Sequence, residues 1–289
     1  MGAVDRSKAV NLIRHAIDSG VTFIDTAEAY GDTESILGDA LADGYRERCF
    51  LATKVSFDFS AAGVRKAAER SLQQMRTDVI DLYQLHNFDS SVHLEETLGT
   101  VRELQESGAV RHVGVSNFSA EQLAKATEIL PVVSNQINYN ALNRSPEKTM
   151  LPAAYEANIS ILVHSSLAKG LITGKYEPGH QFAEDDERSS FEGYSGEPLR
   201  RYLTVVKELA HIADDFGLTV AQGAVAWLLA RKEVTNVLVG PKTPEQLEES
   251  LAAVEKTSAD SREELRSRMD EVLDRHDLEP LCPFPEQLV

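Results

Sequence analysis

Cysteine is almost missing from this chain of 289 residues. Cys49 and Cys282 are too few and too far apart for a disulfide framework or a zinc cluster, and Cys49, at the head of an apolar run, reads as core. Basic charge is scarce too. With 29 Lys and Arg against 46 Asp and Glu, the net charge is -17. That argues against nucleic acid or an anionic membrane as partner, since both need a basic face. No stretch approaches the roughly 18 uninterrupted apolar residues of a membrane helix. The opening MGAVDRSKAV has no apolar signal core, and Arg6 stands where a myristoylation motif needs Ser or Thr. These absences predict a soluble cytoplasmic protein. No G-x-G-x-x-G follows the first strand, and neither a Walker A motif nor an HExxH pair occurs. His86 and His93 lack ligand spacing, so no metal site is expected.

What the chain does have is a regular alternation of short apolar runs and amphipathic stretches. Residues 5 to 19 carry Val10, Ile13 and Ile17 on one helical stripe, and Gly20 ends them. Strands are expected at Val21–Asp25, Cys49–Thr53, Val79–Leu85, Val110–Val115, Val132–Ile137, Ile159–Val163 and Asn236–Val239, with a helix after each. Capping-box strings stand at Ser119–Gln122 and Thr243–Gln246, and Ser145-Pro146 predicts a further helix start. The pattern breaks from Lys169 to Glu197, a polar, Gly-rich stretch whose length suggests a functional or disordered loop. Strands too apolar for a wet face, alternating with helices, predict a parallel α/β sheet buried on both sides. A doubly wound sheet and a closed barrel both fit. The barrel is favoured because polar groups leave nearly every strand at its C-terminal end. The whole chain, 1–289, is expected to form one domain.

Four of those groups come from three consecutive strands: Asp25, Tyr30, Lys54 and His86. Singly, each has an ordinary explanation: a helix cap or structural ion pair for Asp25 and Lys54, packing for Tyr30, a satisfied core histidine for His86. Jointly they make sense as a proton donor with its tuning groups. An ammonium beside a phenol stabilises the phenolate and is expected to lower its pKa, while Asp25 holds Lys54 charged and aimed. His86 would donate a hydrogen bond to a substrate carbonyl or share the proton. Such a site protonates an oxygen as negative charge develops on it, as hydride reduction of a carbonyl requires.

The strings FIDTAEAYG at Phe23–Gly31, ATKV at Ala52–Val55, IDLYQLH at Ile80–His86, GVSNF at Gly114–Phe118, GLITGKY at Gly170–Tyr176 and VGPKTPEQLEES at Val239–Ser250 resemble signatures of the aldo-keto reductase family, in family order. The resemblance implies a (β/α)8 TIM barrel, NADPH as hydride donor with NADH as alternative, and a small-molecule carbonyl substrate. It implies Asp25, Tyr30, Lys54 and His86 as the catalytic tetrad, with Tyr30 the general acid. Ser116, Asn117 and Gln136 would bind the nicotinamide amide. The loop Ser165–Lys175, with Leu167, Gly170 and Lys175, would hold the pyrophosphate, and Gly240–Gln246, with Lys242, Thr243 and Gln246, the adenosine phosphate. Glu249 matches the adenine contact. A helix start and Lys242 also favour an anion there on physical grounds.

Three positions depart from the family pattern. His164-Ser165-Ser166-Leu167 replaces an aromatic residue followed by Ser-Pro-Leu, so His164 would stack on the nicotinamide. Gln246 stands where Arg is common, and Ser250 where Asn is frequent. The family also begins with a β-hairpin and a first barrel strand ahead of the helix at residues 5–19, so the barrel is expected to be incomplete, with that strand missing. A non-catalytic NADPH-binding sensor resembling potassium-channel β subunits, or an inactive truncated reductase, are the competing expectations. The sequence leaves the substrate and the oligomeric state open.

Overall fold

The computed structural model describes residues 5–191 and 193–282. Helix α1 (Arg6–Asp18) starts at Asp5, whose carboxylate accepts from the N–H groups of Ser7 and Lys8. Gly20, at φ +91°, turns the chain into β1 (Phe23–Asp25). The strands β2 (Phe50–Val55), β3 (Ile80–Leu85), β4 (Val110–Ser116), β5 (Ser134–Asn138), β6 (Ser160–His164) and β7 (Val234–Val237) follow. Between and after them come α2 (Thr33–Ala40), α3 (Ala61–Met75), α4 (Leu94–Glu106), α5 (Ala120–Ile129) and α6 (Met150–Glu156). The chain closes with α7 (Gly196–Asp215), α8 (Val220–Leu229), α9 (Pro244–Glu255) and α10 (Ala259–His276).

All neighbouring strands are parallel, in the order β1-β2-β3-β4-β5-β6-β7. The sheet is strongly curled. Gln136 on β5 reaches Asp25 on β1 at 2.9 Å, whereas four strand spacings in a flat sheet would separate them by roughly 19 Å. The fold is therefore a parallel barrel of seven strands, in which β1 and β7 are edges and no strand among the described residues joins them, as expected. Around it the helices come full circle, since α1 packs against α9.

Strand residues alternate between the helix layer and the lumen. The outward set, including Leu51, Val55, Tyr83, Val113 and Val163, enters the large core beneath the helices. Phe23, Phe50, Ala52, Leu82 and Leu162 form a small second core, bordering a cavity of about 310 Å³ at the N-terminal half of the lumen. The same alternation puts Asp25, Lys54 and Gln84 into the upper lumen. Sequence and structure differ at some boundaries: Lys54, Ser116 and His164 lie inside their strands, and β7 begins two residues early.

Ser145-Pro146 opens only a 3-10 turn, Ser145–Glu147. Ser145 Oγ donates to Asn143 Oδ1 at 2.7 Å, and Pro152, which must sit in a first turn, shifts the start of α6 to Met150. The box at Thr243 is half made. Thr243 Oγ1 accepts from the N–H of Gln246, but Gln246 Oε1 accepts from the N–H of Lys242. No helix among the described residues is long and apolar enough to cross a membrane.

Candidate active site

Asp25 ends β1, and its two carboxylate oxygens do different work. Oδ2 lies 2.5 Å from Lys54 Nζ, while Oδ1 accepts from Gln84 Nε2 at 3.1 Å and Gln136 Nε2 at 2.9 Å. Lys54 is fully buried and also donates to the Thr26 carbonyl at 2.8 Å. Burial lowers the pKa of this ammonium and the Asp25 carboxylate holds it up. A buried ion pair survives when the remaining hydrogen-bonding capacity is satisfied, and the two glutamine amides supply that here.

Tyr30 follows in a tight turn, its N–H bonded to the Ala27 carbonyl, with Lys54 Nζ 5.1 Å from its ring centre. His86 leaves β3 beside it. The two rings meet edge to face at 5.6 Å, and Tyr30 Oη is 3.5 Å from His86 Nε2. That is too long for a strong mutual bond, so both groups can address a third oxygen. Burial, then the Lys54 charge, push the His86 pKa down to about 4, partly offset by Asp25. The imidazole is neutral at physiological pH.

The four residues come together as expected, but one electrostatic expectation needs correcting. The Tyr30 phenol is not lowered by Lys54; burial and then the Asp25 carboxylate push it up to about 12. With Asp25 at 2.5 Å, the ammonium presents little net field to the phenol. Tyr30 is 46% exposed, so water screens part of the rise. The phenol is fully protonated at neutral pH, the form a proton donor needs.

Ser116 and Asn117 leave β4 at the same end. Ser116 Oγ donates to the Gln136 carbonyl at 3.0 Å. Asn117, at φ +57°, donates from Nδ2 to the His86 carbonyl at 3.3 Å. Its Oδ1 lies 3.1 Å from His164 Nε2. An amide oxygen can only accept, so His164 carries its proton on Nε2, and Nδ1 accepts from the Ser165 hydroxyl at 3.0 Å. Burial, with Lys54, His86 and Lys169, holds the His164 pKa down at about 3.

Beyond β6 the chain turns tightly through Ala168, Lys169 and Gly170, all at positive φ. A methyl at Gly170 would lie 3.7 Å from both Lys175 Nζ and Arg188 Nη1, so two cations converge on this turn. Arg188 also donates to the Lys169 carbonyl at 3.1 Å and to Tyr176 Oη at 2.8 Å, and pairs with Asp186. After β7, Gly240 and Lys242 lead to the Thr243 cap of α9, and Gln246 lies in its first turn. Glu249 on that helix accepts from Thr219 Oγ1 at 2.9 Å.

Ser56, Gln84 and Arg188 were not anticipated. Gln84 had a signal, because it falls between Leu82 and His86 in the lumen-facing phase of β3. Ser56 continues the phase of Lys54 past the strand end. Arg188 lies deep in the polar loop, where no period marks it. Among the described residues no three His, Cys, Asp or Glu side chains group as metal ligands.

A parallel barrel with an aspartate–lysine pair, a tyrosine and a histidine at its strand ends defines an oxidoreductase of the barrel type. The chain belongs to the Aldo/keto reductase family, whose model matches residues 1–273. It is 36% identical over 260 residues to Aldo-keto reductase YhdN of Bacillus subtilis, covering 86% of this chain and 78% of that protein. It is 30% identical over 277 residues to Aldo-keto reductase yakc (NADP(+)) of Schizosaccharomyces pombe, covering 90% and 82%. The glycerol dehydrogenase AKR11B4 from Gluconobacter oxydans superposes with a TM-score of 0.86 at 32% identity, over 97% of this chain and 89% of that one. The family uses NAD(P)H and acts on small-molecule carbonyl substrates.

Proposed function

We propose that this protein reduces aldehydes or ketones to alcohols with NADPH, Tyr30 acting as general acid. The observation that carries the reading is the buried Lys54–Asp25 pair beneath Tyr30 and His86 at the open end of the lumen. A carbonyl oxygen seated between Tyr30 Oη and His86 Nε2 would receive two hydrogen bonds as charge develops on it. Tyr30 then delivers the proton. At a pKa of about 12 it remains a stronger acid than the alcohol it produces. Lys54, held against Asp25, keeps its ammonium 5.1 Å from the Tyr30 ring centre.

The dinucleotide supplies the hydride. The residues here suit such a group: the left-handed turn at Ala168–Gly170 with Lys175 and Arg188 beside it fits a diphosphate. Ser116, Asn117 and Gln136 would meet the nicotinamide amide, with Gln136 keeping Oε1 as an acceptor while Nε2 holds Asp25. His164 would stack on the ring, and Ser165, Leu167 and Gly170 would wrap the diphosphate. Gly240, Lys242, Thr243 and Gln246 would hold the adenosine phosphate and Glu249 the adenine. Lys242 and the printed name of the yeast relative support NADPH over NADH.

Among the described residues β1 and β7 each keep one unpaired edge, which favours a second reading, a dinucleotide-binding protein without turnover. Following reduced-nicotinamide absorbance with a panel of aldehydes, NADPH and NADH side by side, separates the two. Turnover with NADPH is expected, and Tyr30→Phe should lower kcat by about 10²-fold or more. Equal rates for the two proteins would remove Tyr30 as the acid. Stabilisation against heat by NADPH with no turnover would establish the second reading.

A further inference from the structure

We propose that Ser56 is a positioning residue for this reaction: its hydroxyl donates to His86 Nδ1 and so fixes the imidazole proton on Nε2, the nitrogen facing Tyr30. The proposal rests on the carbonyl-reductase reading above.

Ser56 lies one residue past the end of β2, and its Oγ is 2.7 Å from His86 Nδ1. Backbone contacts hold both partners. The N–H of His86 donates to the Val55 carbonyl at 3.0 Å. The N–H of Ser56 donates to Glu28 Oε2 at 2.8 Å. Glu28 is itself fixed, its N–H bonded to the Lys54 carbonyl and its carboxylate paired with Arg70 of α3. A residue of the turn that carries Tyr30 therefore clamps the serine that touches His86.

A neutral imidazole has one donor and one acceptor nitrogen, and the partner of one decides the role of the other. His86 is neutral here. Among the described residues, His86 is the only partner of the Ser56 hydroxyl. If that hydroxyl accepted from Nδ1–H, its own proton would find no protein acceptor. Donation to Nδ1 satisfies both groups. The consequence at the other nitrogen is chemical. A bare Nε2 would accept the Tyr30 proton and point a lone pair at the substrate oxygen. Nε2–H instead leaves the phenol proton for the substrate and adds a second donor to the same oxygen.

The test reads the imidazole directly. In protein labelled with 15N-histidine, with and without NADPH, the His86 signals are assigned by their loss in His86→Gln. Wild type should show Nδ1 unprotonated and Nε2 protonated. Ser56→Ala should move both nitrogen shifts toward averaged values and lower kcat about tenfold. Removing such a donor outright costs about 10²–10³, and the freed ring still samples the competent form. Ser56→Thr, which keeps the hydroxyl, should restore the shifts and the rate. A wild-type proton on Nδ1, or Ser56→Ala with unchanged shifts and kcat, would overturn the proposal. The wild-type spectrum needs no variant to fold, and it stands apart from Tyr30→Phe, which tests the activity itself.

Discussion

Asp25 organises the site because it divides its oxygens between Lys54 and two glutamine amides. Asp25, Lys54 and His86 were legible in the sequence, since each ends or follows an apolar run in the lumen-facing phase, whereas Tyr30 lies in the turn after β1 and carries no such phase. Their electrostatics were less legible. The field at Tyr30 depends on how closely Asp25 approaches Lys54, which spacing along the chain does not encode. The histidines carry a measurable consequence. His86 and His164 have folded pKa values pushed down to about 4 and about 3, from 6.5. The unfolded chain binds their protons first, so the stability they contribute is complete above pH 6.5 and is lost as the pH falls toward 4. Denaturant midpoints measured between pH 7 and 4 should fall in wild type, and fall less in His86→Gln/His164→Gln. Equal slopes would mean that neither ring is held neutral by the fold.

Elements meet where small residues allow it. Helix α2 crosses α3 at Gly38, where an added methyl would run into the carbonyl oxygen of Gln74. Alanine would gain about 1 kcal/mol of helix propensity, yet a backbone oxygen cannot swing aside as a side chain can. Gly38→Ala is expected to give a net loss of about 1–2 kcal/mol, read as a lower urea midpoint; an unchanged or higher midpoint would show that α3 yields. The strand and helix order was legible because buried parallel strands and amphipathic helices have different periods. The exceptions have local causes. Pro152 moved the start of α6, and Lys242 took the side chain that should have completed the Thr243 box. The turns within the Lys169–Glu197 stretch, at Ala168–Thr173 and Glu187–Ser190, were invisible because Arg188 and a set of aromatic contacts shape them.

At the scale of the molecule, two rings close differently. The helix ring is complete, with α1 against α9 and His15 lying 3.4 Å from Glu248. Among the described residues the strand ring is not, since β1 and β7 each have one partner strand there. Both edge strands are also only partly buried, whereas β3 is buried throughout. Local opening costs least where backbone hydrogen bonds lack a second neighbour and few apolar contacts cover them. The sheet should therefore loosen from its edges inward while the upper lumen, tied across by Asp25, Gln84 and Gln136, holds together. In amide hydrogen exchange, peptides covering β1 and β7 should exchange at least about tenfold faster than those covering β3 and β4. Asp25, the last residue of β1, is tied to Lys54, Gln84 and Gln136, which anchors that end of the strand. Protection at β1 and β7 equal to that at β3 would mean that both edges are paired in solution, and that the barrel closes through a contact beyond the seven strands.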